Sequence, residues 1–187
     1  MSNISIEDSA LIIVDMQNDF MPGGRLEIKD ADKIIPAINR CINKFKAKGL
    51  KIFATRDWHP EDHISFKERG GLWNRHCVKN TKGAEFHKDL ALNDAIIISK
   101  GSESEKEAYS GFEGTELADI LRSSNVKKVF ITGVATDYCV KNTALDALNH
   151  KFDVYLIIDG IKGIKNEEEA IREMKQKGIK LIESRNL

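Results

Sequence analysis

The 187 residues of this chain carry 29 basic and 29 acidic side chains, so the formal net charge at pH 7 is zero. A balanced charge gives no long-range attraction to nucleic acid or anionic lipid, and a small-molecule partner is expected instead. No apolar run approaches the roughly 18 residues of a membrane span, and the first residues lack the pattern of a secretory signal. These features predict a cytoplasmic protein without a nucleic-acid or membrane partner, either a monomer or a homo-oligomer such as a dimer.

Short apolar runs alternate with helical patterns along the chain. The run ALIIV at 10–14 ends at an aspartate and is typical of a strand buried on both faces. Further strands are predicted at 50–55, 95–99, 128–132, 154–158 and 180–182. Helices are predicted at 30–48, 114–122, 136–149 and 166–177. This alternation predicts a three-layer α/β/α sandwich around a mainly parallel sheet of about six strands, in a single domain over 1–187.

One interval, at about 56–94, breaks this alternation. It shows no good strand and little helix, although structureless loops longer than about 12–15 residues are uncommon in compact domains. The interval contains Trp58, Phe66, Trp73 and several histidines, a composition that argues against disorder. Ligands of open α/β sheets bind beyond the carboxyl ends of the strands, so this loop insertion is expected to contribute to a binding site.

Reactive side chains follow four consecutive predicted strands. Asp15 follows the first strand, and Asp57 and His59 follow the second. Lys100 follows the third, and Cys139 lies just past the fourth. Each has a structural explanation alone, since an aspartate can cap a turn, a lysine can be solvated, and a cysteine in a first helical turn is commonly a small buried residue. Their coincidence at one sheet edge favours a catalytic site.

The predicted surroundings of Cys139 favour a nucleophile. With Thr136 as the N-cap, Cys139 lies at the third helical position, where backbone N–H groups and the helix dipole stabilise a thiolate. The Lys100 ammonium is expected to lower the thiol pKa further, and Asp15 can accept the proton. The same N–H groups can hold an oxyanion on an attacked carbonyl. The sequence therefore predicts a triad of Asp15, Lys100 and Cys139, whereas Cys41 is expected to pack in the core.

Histidines near Asp57 indicate a metal site. Residues two apart in an extended segment project to one side, so Asp57 and His59 can bind the same ion, and His76 can complete the site from the loop. His63 is left open as a fourth ligand, a residue behind the ligands or a solvent-facing side chain. Cys77 is expected to be a packed thiol, with metal binding as the alternative. This donor set suits one divalent ion, with zinc expected first and iron or manganese as alternatives.

Six motifs resemble those of the nicotinamidases, also called pyrazinamidases, of the isochorismatase-like superfamily. In family order they are VDMQNDF at 14–20, RDWHPEDH at 56–63, WNRHC at 73–77, SKG at 99–101, AYSGFEG at 108–114 and GVATDYC at 133–139. Each motif is weak alone, whereas six in order are specific. The resemblance covers roughly residues 10–145, which is most of the chain.

The resemblance implies a role for each residue that matches a family motif. The implied catalytic triad is Asp15, Lys100 and Cys139. The implied metal ligands are Asp57, His59 and His76, and a fourth ligand of some members matches His63. The implied wall around a pyridine ring is Phe20, Trp73 and Tyr109. The family also has a cis peptide at the position of Val134 and Ala135, beside the Ala135 and Cys139 N–H groups that would face an oxyanion.

The activity implied by the resemblance is hydrolysis of nicotinamide to nicotinate and ammonia in NAD salvage, through a cysteine thioester, with pyrazinamide as a second substrate. The chain departs from some members at Tyr138, where they have histidine, and in the shorter spacing from His59 to His63. One alternative is a related amidohydrolase acting on another small amide or ureide. An alternative of another class is a non-catalytic metal-binding or thiol redox protein, which leaves Asp15 and Lys100 unexplained.

Overall fold

A computed structural model describes residues 4–187 of the chain, and parallel strands form its central sheet. The strands are β1 (Ser9–Val14), β2 (Lys51–Asp57), β3 (Ile96–Lys100), β4 (Lys128–Val134), β5 (Asp153–Lys162) and β6 (Lys180–Ile182). Within the described residues they form one six-stranded sheet in the order β3-β2-β1-β4-β5-β6. The predicted strands are confirmed, and the sheet is parallel throughout those pairs.

Helices cover both faces of this sheet. They are α1 (Ile35–Ala47), α2 (Leu117–Ser123), α3 (Lys141–Asn149) and α4 (Glu167–Gln176). The apolar side of α1 packs with Leu11 and Ile13 of β1, whereas α2, α3 and α4 pack with Ile12 and Val14 on the other face. Successive strand residues point to opposite faces, so β1 must be apolar throughout to serve both layers. The three-layer α/β/α prediction is confirmed.

The strand order places a topological switch point beside β1. The chain moves from β1 through β2 to β3 on one side of the sheet and then returns to place β4 on the other side of β1. Connections leave in opposite directions at such a point and open a crevice beyond the carboxyl ends of the strands. Gly133 allows the close approach of β4 to β1, because a Cβ there would lie 2.1 Å from the Val14 carbonyl oxygen. The peptide bond between Val134 and Ala135 that follows is cis.

The long insertion is ordered by hydrogen bonds rather than by regular elements. It contains two short 3₁₀ turns, Lys67–Arg69 and Lys82–Ala84, and isolated bridges that join His59 to Val78 and Phe66 to Trp73. Phe66 is buried within it. That residues 1–187 form a single domain, with this insertion as part of it, stays a prediction. No helix in the described part of the chain is long and apolar enough to cross a membrane.

The start of the helix that follows β4 differs from the prediction. A single π-helical turn spans Thr136–Val140, in which the Val140 N–H donates to the Ala135 carbonyl, and α3 begins only at Lys141. Thr136 is not the N-cap, because its hydroxyl donates to the Glu167 carboxylate of α4 instead. The prediction that Cys139 is the third residue of a capped α-helix is therefore wrong.

Asp137 holds this turn against the connection between β5 and α4. Its carboxylate accepts hydrogen bonds from the backbone N–H groups of Ile164, Lys165 and Asn166 at 2.9–3.0 Å. Burial opposes the charged form, but these N–H groups outweigh burial and lower the pKa of Asp137. One carboxylate thus joins the segment that carries Cys139 to the start of α4.

We expect Asp137→Asn to lower the free energy of unfolding by about 1–3 kcal/mol, because an amide cannot accept all three bonds as an anion does. Urea denaturation at pH 7 measures this loss, with Asp119→Asn at an exposed carboxylate of α2 as the control. A lowered folded-state pKa contributes stability above the unfolded pKa and loses it as pH falls through the folded value. The difference between wild type and Asp137→Asn should therefore shrink below about pH 4; a difference that persists unchanged in acid would contradict this account.

Candidate active site

A buried ammonium lies at the centre of the site. Lys100, the last residue of β3, is only 1% exposed. Its Nζ lies 2.9 Å from Asp15 Oδ2 and donates a short hydrogen bond to Asp57 Oδ1. It also lies 3.4 Å from Cys139 Sγ and 3.2 Å from the Ala108 carbonyl oxygen. The long lysine side chain therefore joins the ends of all four strands, as their sequence positions predicted.

The two carboxylates keep Lys100 charged despite its burial. Burial alone favours neutral lysine, but the negative charges of Asp15 and Asp57 outweigh it and raise the pKa of Lys100 well above its usual value. In return, Lys100 offsets the effect of burial on Asp57 and, with His59, lowers the pKa of that carboxyl well below its usual range. Each of these buried charges is therefore stabilised by the presence of the others.

Asp15 is placed as a proton acceptor. Its Oδ1 accepts a 2.7 Å hydrogen bond from the Thr55 hydroxyl, and both oxygens are buried. Oδ2 faces the Lys100 ammonium but off the direction of a hydrogen bond, and it has no hydrogen-bond partner among residues 4–187. Burial raises the pKa of Asp15, more than Lys100 lowers it. Carboxylate oxygens of Asp15 and Asp57 and the Cys139 sulfur all lie within 4.8 Å of one another.

The expectation that its surroundings lower the pKa of Cys139 is wrong. Burial raises the pKa of the Cys139 thiol well above its usual value. Lys100 lowers it, but the negative charges of Asp15 and Asp57 oppose that effect. The thiol is therefore the resting form, and a proton acceptor has to act before the sulfur can attack. This requirement makes the position of Asp15 more important than the sequence indicated.

Asp57, His59 and His76 form the second cluster of the site. The Asp57 Oδ2 atom lies 3.6 Å from His59 Nε2 and 3.7 Å from His76 Nε2. One ligand atom from each residue lies within 4.8 Å of the other two, and all three residues are buried. Asp57 belongs to both clusters, because its other oxygen, Oδ1, faces Lys100.

These three residues fit a divalent cation. The Nδ1 atoms of His59 and His76 lie 2.8 Å and 2.7 Å from the carbonyl oxygens of Gly101 and Asn74, so each Nδ1 must carry hydrogen. In a neutral imidazole this leaves the Nε2 lone pair facing Asp57, and three acceptors then meet around one point. Ligand atoms about 2.0–2.2 Å from a tetrahedral ion lie about 3.3–3.6 Å apart, close to the observed separations.

His63 lies beside this cluster rather than in it. Its ring stacks on His59 with the centroids 4.0 Å apart. Nε2 lies 2.8 Å from the Lys106 carbonyl oxygen, and Nδ1 lies 2.7 Å from the Ser65 hydroxyl. Both ring nitrogens are engaged, and burial lowers the pKa of His63 to about 4. Of the three possibilities that the sequence left open, this geometry matches a residue behind the ligands.

A small aromatic pocket opens beside Cys139. It contains Phe20, Trp73 and Tyr109, which the resemblance implied, and Ala135, which precedes the π-helical turn. Trp73 Nε1 donates to the Tyr109 hydroxyl at 3.1 Å. Three further lining residues were not predicted from the sequence: Leu26, Tyr138 and Ile164. Tyr138 was noted as a departure from the family pattern, whereas Leu26 and Ile164 lie outside the motifs, and nothing in the sequence indicated that they line the pocket.

Known proteins resemble the chain over nearly its whole length. A family model described as an isochorismatase domain matches residues 9–186. The nicotinamidase of Acinetobacter baylyi is 39% identical to the chain, over 95% of this chain and 94% of the relative. The crystal structure of the pyrazinamidase of Pyrococcus horikoshii in complex with zinc is 64% identical, with a TM-score of 0.91 over 94% of this chain and 99% of that one.

A second solved structure, that of PnC1 from L. infantum in complex with nicotinate, is 34% identical to the chain, with a TM-score of 0.90. It covers 99% of this chain and 98% of its own. The family match spans nearly the whole chain and contains both clusters of the site. The chain therefore belongs to the isochorismatase domain family.

Proposed function

We propose that the protein is a nicotinamidase, an amide hydrolase that converts nicotinamide to nicotinate and ammonia. The observation that carries the proposal is the shared position of Asp57, which faces the Lys100 ammonium with one oxygen and the two histidines with the other. A thiol nucleophile and a metal site then flank one small aromatic pocket. Relatives named nicotinamidase support this function. Pyrazinamide, also an aromatic carboxamide, is proposed as a second substrate.

Asp15 and Cys139 begin the proposed reaction. The Asp15 carboxylate accepts the thiol proton of Cys139, and the sulfur adds to the carboxamide carbon. The backbone N–H groups of Ala135 and Cys139 hold the oxyanion that forms. Lys100 stays protonated and balances the negative charge that passes between the carboxylate and the sulfur. Phe20, Trp73 and Tyr109 hold the ring so that the carboxamide lies over the sulfur.

Asp15 also completes the proposed reaction. When the tetrahedral intermediate collapses, the proton on Asp15 passes to the leaving nitrogen, and ammonia departs from a thioester of Cys139. Water then attacks the thioester carbon while Asp15 accepts its proton. The second intermediate releases the sulfur and nicotinate, and the proton returns to Cys139. One carboxylate thus serves as base and acid in turn, which suits a pKa raised by burial.

Asp57, His59 and His76 are the proposed ligands of one divalent ion, with His63 behind His59. When bound, the ion supplies a Lewis-acid position for the pyridine nitrogen, directly or through water. Zinc is the proposed ion, since imidazole and carboxylate donors suit it, with iron or manganese as alternatives. The cytoplasmic location and the oligomeric state, a monomer or a homo-oligomer such as a dimer, stay predictions from the sequence.

We expect Cys139→Ala to abolish ammonia release from nicotinamide while zinc affinity stays within about twofold of wild type. The ammonia assay and a zinc titration are run on the same preparation. Cys41→Ala is the matched control, because it removes a buried thiol from α1. Cys139→Ala turnover within about tenfold of wild type would contradict the thioester mechanism.

We expect Asp15→Asn to lower kcat/KM for nicotinamide by about 10²–10⁴-fold, because the thiol loses its proton acceptor. The same change should lower the pKa of Cys139, since the Asp15 charge raises it in the wild type. Alkylation of Cys139 with iodoacetamide across a pH series, quantified by mass spectrometry, measures that pKa. An unchanged or higher alkylation midpoint would contradict the proposed electrostatics, and Asp94→Asn at an exposed carboxylate is the control.

We expect removal of the metal by a chelator to abolish nicotinamide hydrolysis. Addition of about one equivalent of zinc should restore it, and the comparison with manganese and iron identifies the preferred ion. Undiminished turnover by protein that elemental analysis shows to be metal-free would rule out the proposed role of the ion. That outcome would favour a related amidohydrolase that acts on another small amide.

A further inference from the structure

We propose that Gln17 and Asp19 are positioning residues of the metal centre, each of which fixes the main chain beside one proposed ligand. Gln17 acts at Asp57, and Asp19 acts immediately after His76. Both lie in the segment that follows β1 and carries Asp15. The inference rests on the metal site of the proposed function, and its test measures metal affinity rather than turnover.

Gln17 continues the pairing of β1 with β2 through its side chain. Its Oε1 accepts a 2.8 Å hydrogen bond from the Asp57 N–H, and its Nε2 donates a 2.8 Å hydrogen bond to the Asp57 carbonyl. The second Nε2 hydrogen is donated to the Ala84 carbonyl of the long insertion at 2.9 Å. Gln17 is fully buried, and three of the hydrogen bonds that an amide can form are present. The side chain therefore fixes both main-chain polar groups of Asp57.

Asp19 fixes the main chain on the other side of the cluster. Its Oδ2 accepts a 2.7 Å hydrogen bond from the Cys77 N–H, and its Oδ1 accepts from the Arg25 N–H at 3.3 Å. Cys77 has a φ of +46°, a left-handed conformation that costs free energy for a residue with a side chain. The hydrogen bond that the Cys77 N–H donates to the buried Asp19 carboxylate stabilises that turn and so sets the direction in which His76 points.

Gly83 shows how closely the insertion packs against Asp19. A Cβ at Gly83 would lie 2.1 Å from Asp19 Oδ2 and 2.3 Å from its carboxyl carbon. The absence of a side chain at this position leaves the carboxylate room to reach the Cys77 N–H. Phe20, the next residue, also packs against His76 with ring centroids 5.5 Å apart.

Gln17 and Asp19 together set the distance across the cluster. Asp57 is the last residue of the hydrogen-bonded strand β2, whereas His76 comes from an insertion with little regular structure. Without fixed main chains, the 3.7 Å separation of Asp57 Oδ2 and His76 Nε2 would have to be restored each time an ion binds. Fixing both in advance removes that cost, because hydrogen-bonded residues behind the ligands raise metal affinity.

Asn18 provides a matched control in the same segment. Its Nδ2 donates to the Lys82 carbonyl at 2.8 Å, so it also ties the segment to the insertion. That hydrogen bond does not reach the main chain of Asp57, His76 or Cys77. Loss of the Asn18 side chain therefore weakens the same interface without releasing a ligand.

The test compares zinc affinity in Gln17→Ala, Asp19→Asn and Asn18→Ala. Metal is removed with a chelator, and the zinc Kd is measured by competition with a chromogenic chelator. The Tm is recorded without zinc and with zinc at one subsaturating concentration. We expect Gln17→Ala and Asp19→Asn to raise the zinc Kd by about 10–100-fold, and Asn18→Ala to leave it within about twofold. The rise in Tm that zinc produces at this concentration should be smaller in Gln17→Ala and Asp19→Asn than in Asn18→Ala.

A merely structural role gives a different result. It would lower the Tm of the metal-free protein and leave the zinc Kd of both variants within about twofold of wild type, which would overturn the inference. If Gln17→Ala does not fold, Asp19→Asn decides the question, because it keeps the size of the side chain and removes one acceptor. Failure of the wild type to bind zinc would instead overturn the proposed metal site itself.

Discussion

The site depends on one buried ammonium. Two carboxylates and a thiol meet at the carboxyl edge of the sheet with almost no access to water, and the Lys100 ammonium is the positive charge that lies among them. Buried charges are tolerated when they are paired and hydrogen-bonded, whereas removal of one partner of a buried pair typically costs about 3–5 kcal/mol. Lys100 therefore serves the fold and the chemistry at the same time, since it makes the ionised forms of Asp57 and Asp15 possible.

The strand order explains why one lysine can reach every reactive group. The strands β3, β2, β1 and β4 are neighbours in the sheet in that order. Lys100 and Asp57 end β3 and β2, Asp15 directly follows β1, and Cys139 lies in the turn after β4. Asp57 divides its oxygens between Lys100 and the two histidines, so the triad and the metal cluster share a residue. A change in the charge or position of Asp57 at the metal cluster consequently alters the electrostatic environment of the Lys100 ammonium. The segment after β1 contacts both groups, through Asp15 at Lys100 and Gln17 at Asp57.

The elements of the fold were predictable because each strand and helix is a local pattern. The apolar runs and the residues that end them predicted the sheet, its three layers and the edge at which the site lies. The N-cap at Thr136 was predicted wrongly, because its hydroxyl bonds to Glu167, which lies 31 positions along the chain. The lowered pKa of Cys139 was also wrong, because burial and the combined charge of two carboxylates are properties of the assembled site.

The sequence by itself determined which residue types stand at the strand ends. Its motifs indicated the family, an Asp-Lys-Cys catalytic set and an Asp-His-His set of metal ligands. The tertiary structure alone decided how those sets meet. Asp57 joins them, His63 has both nitrogens engaged away from the ligand cluster, and Gln17 and Asp19 hold main-chain groups 40 and 58 positions away. Sequence patterns report local periodicity and identity, whereas burial, charge coupling and hydrogen bonds between distant segments exist only after the chain has folded.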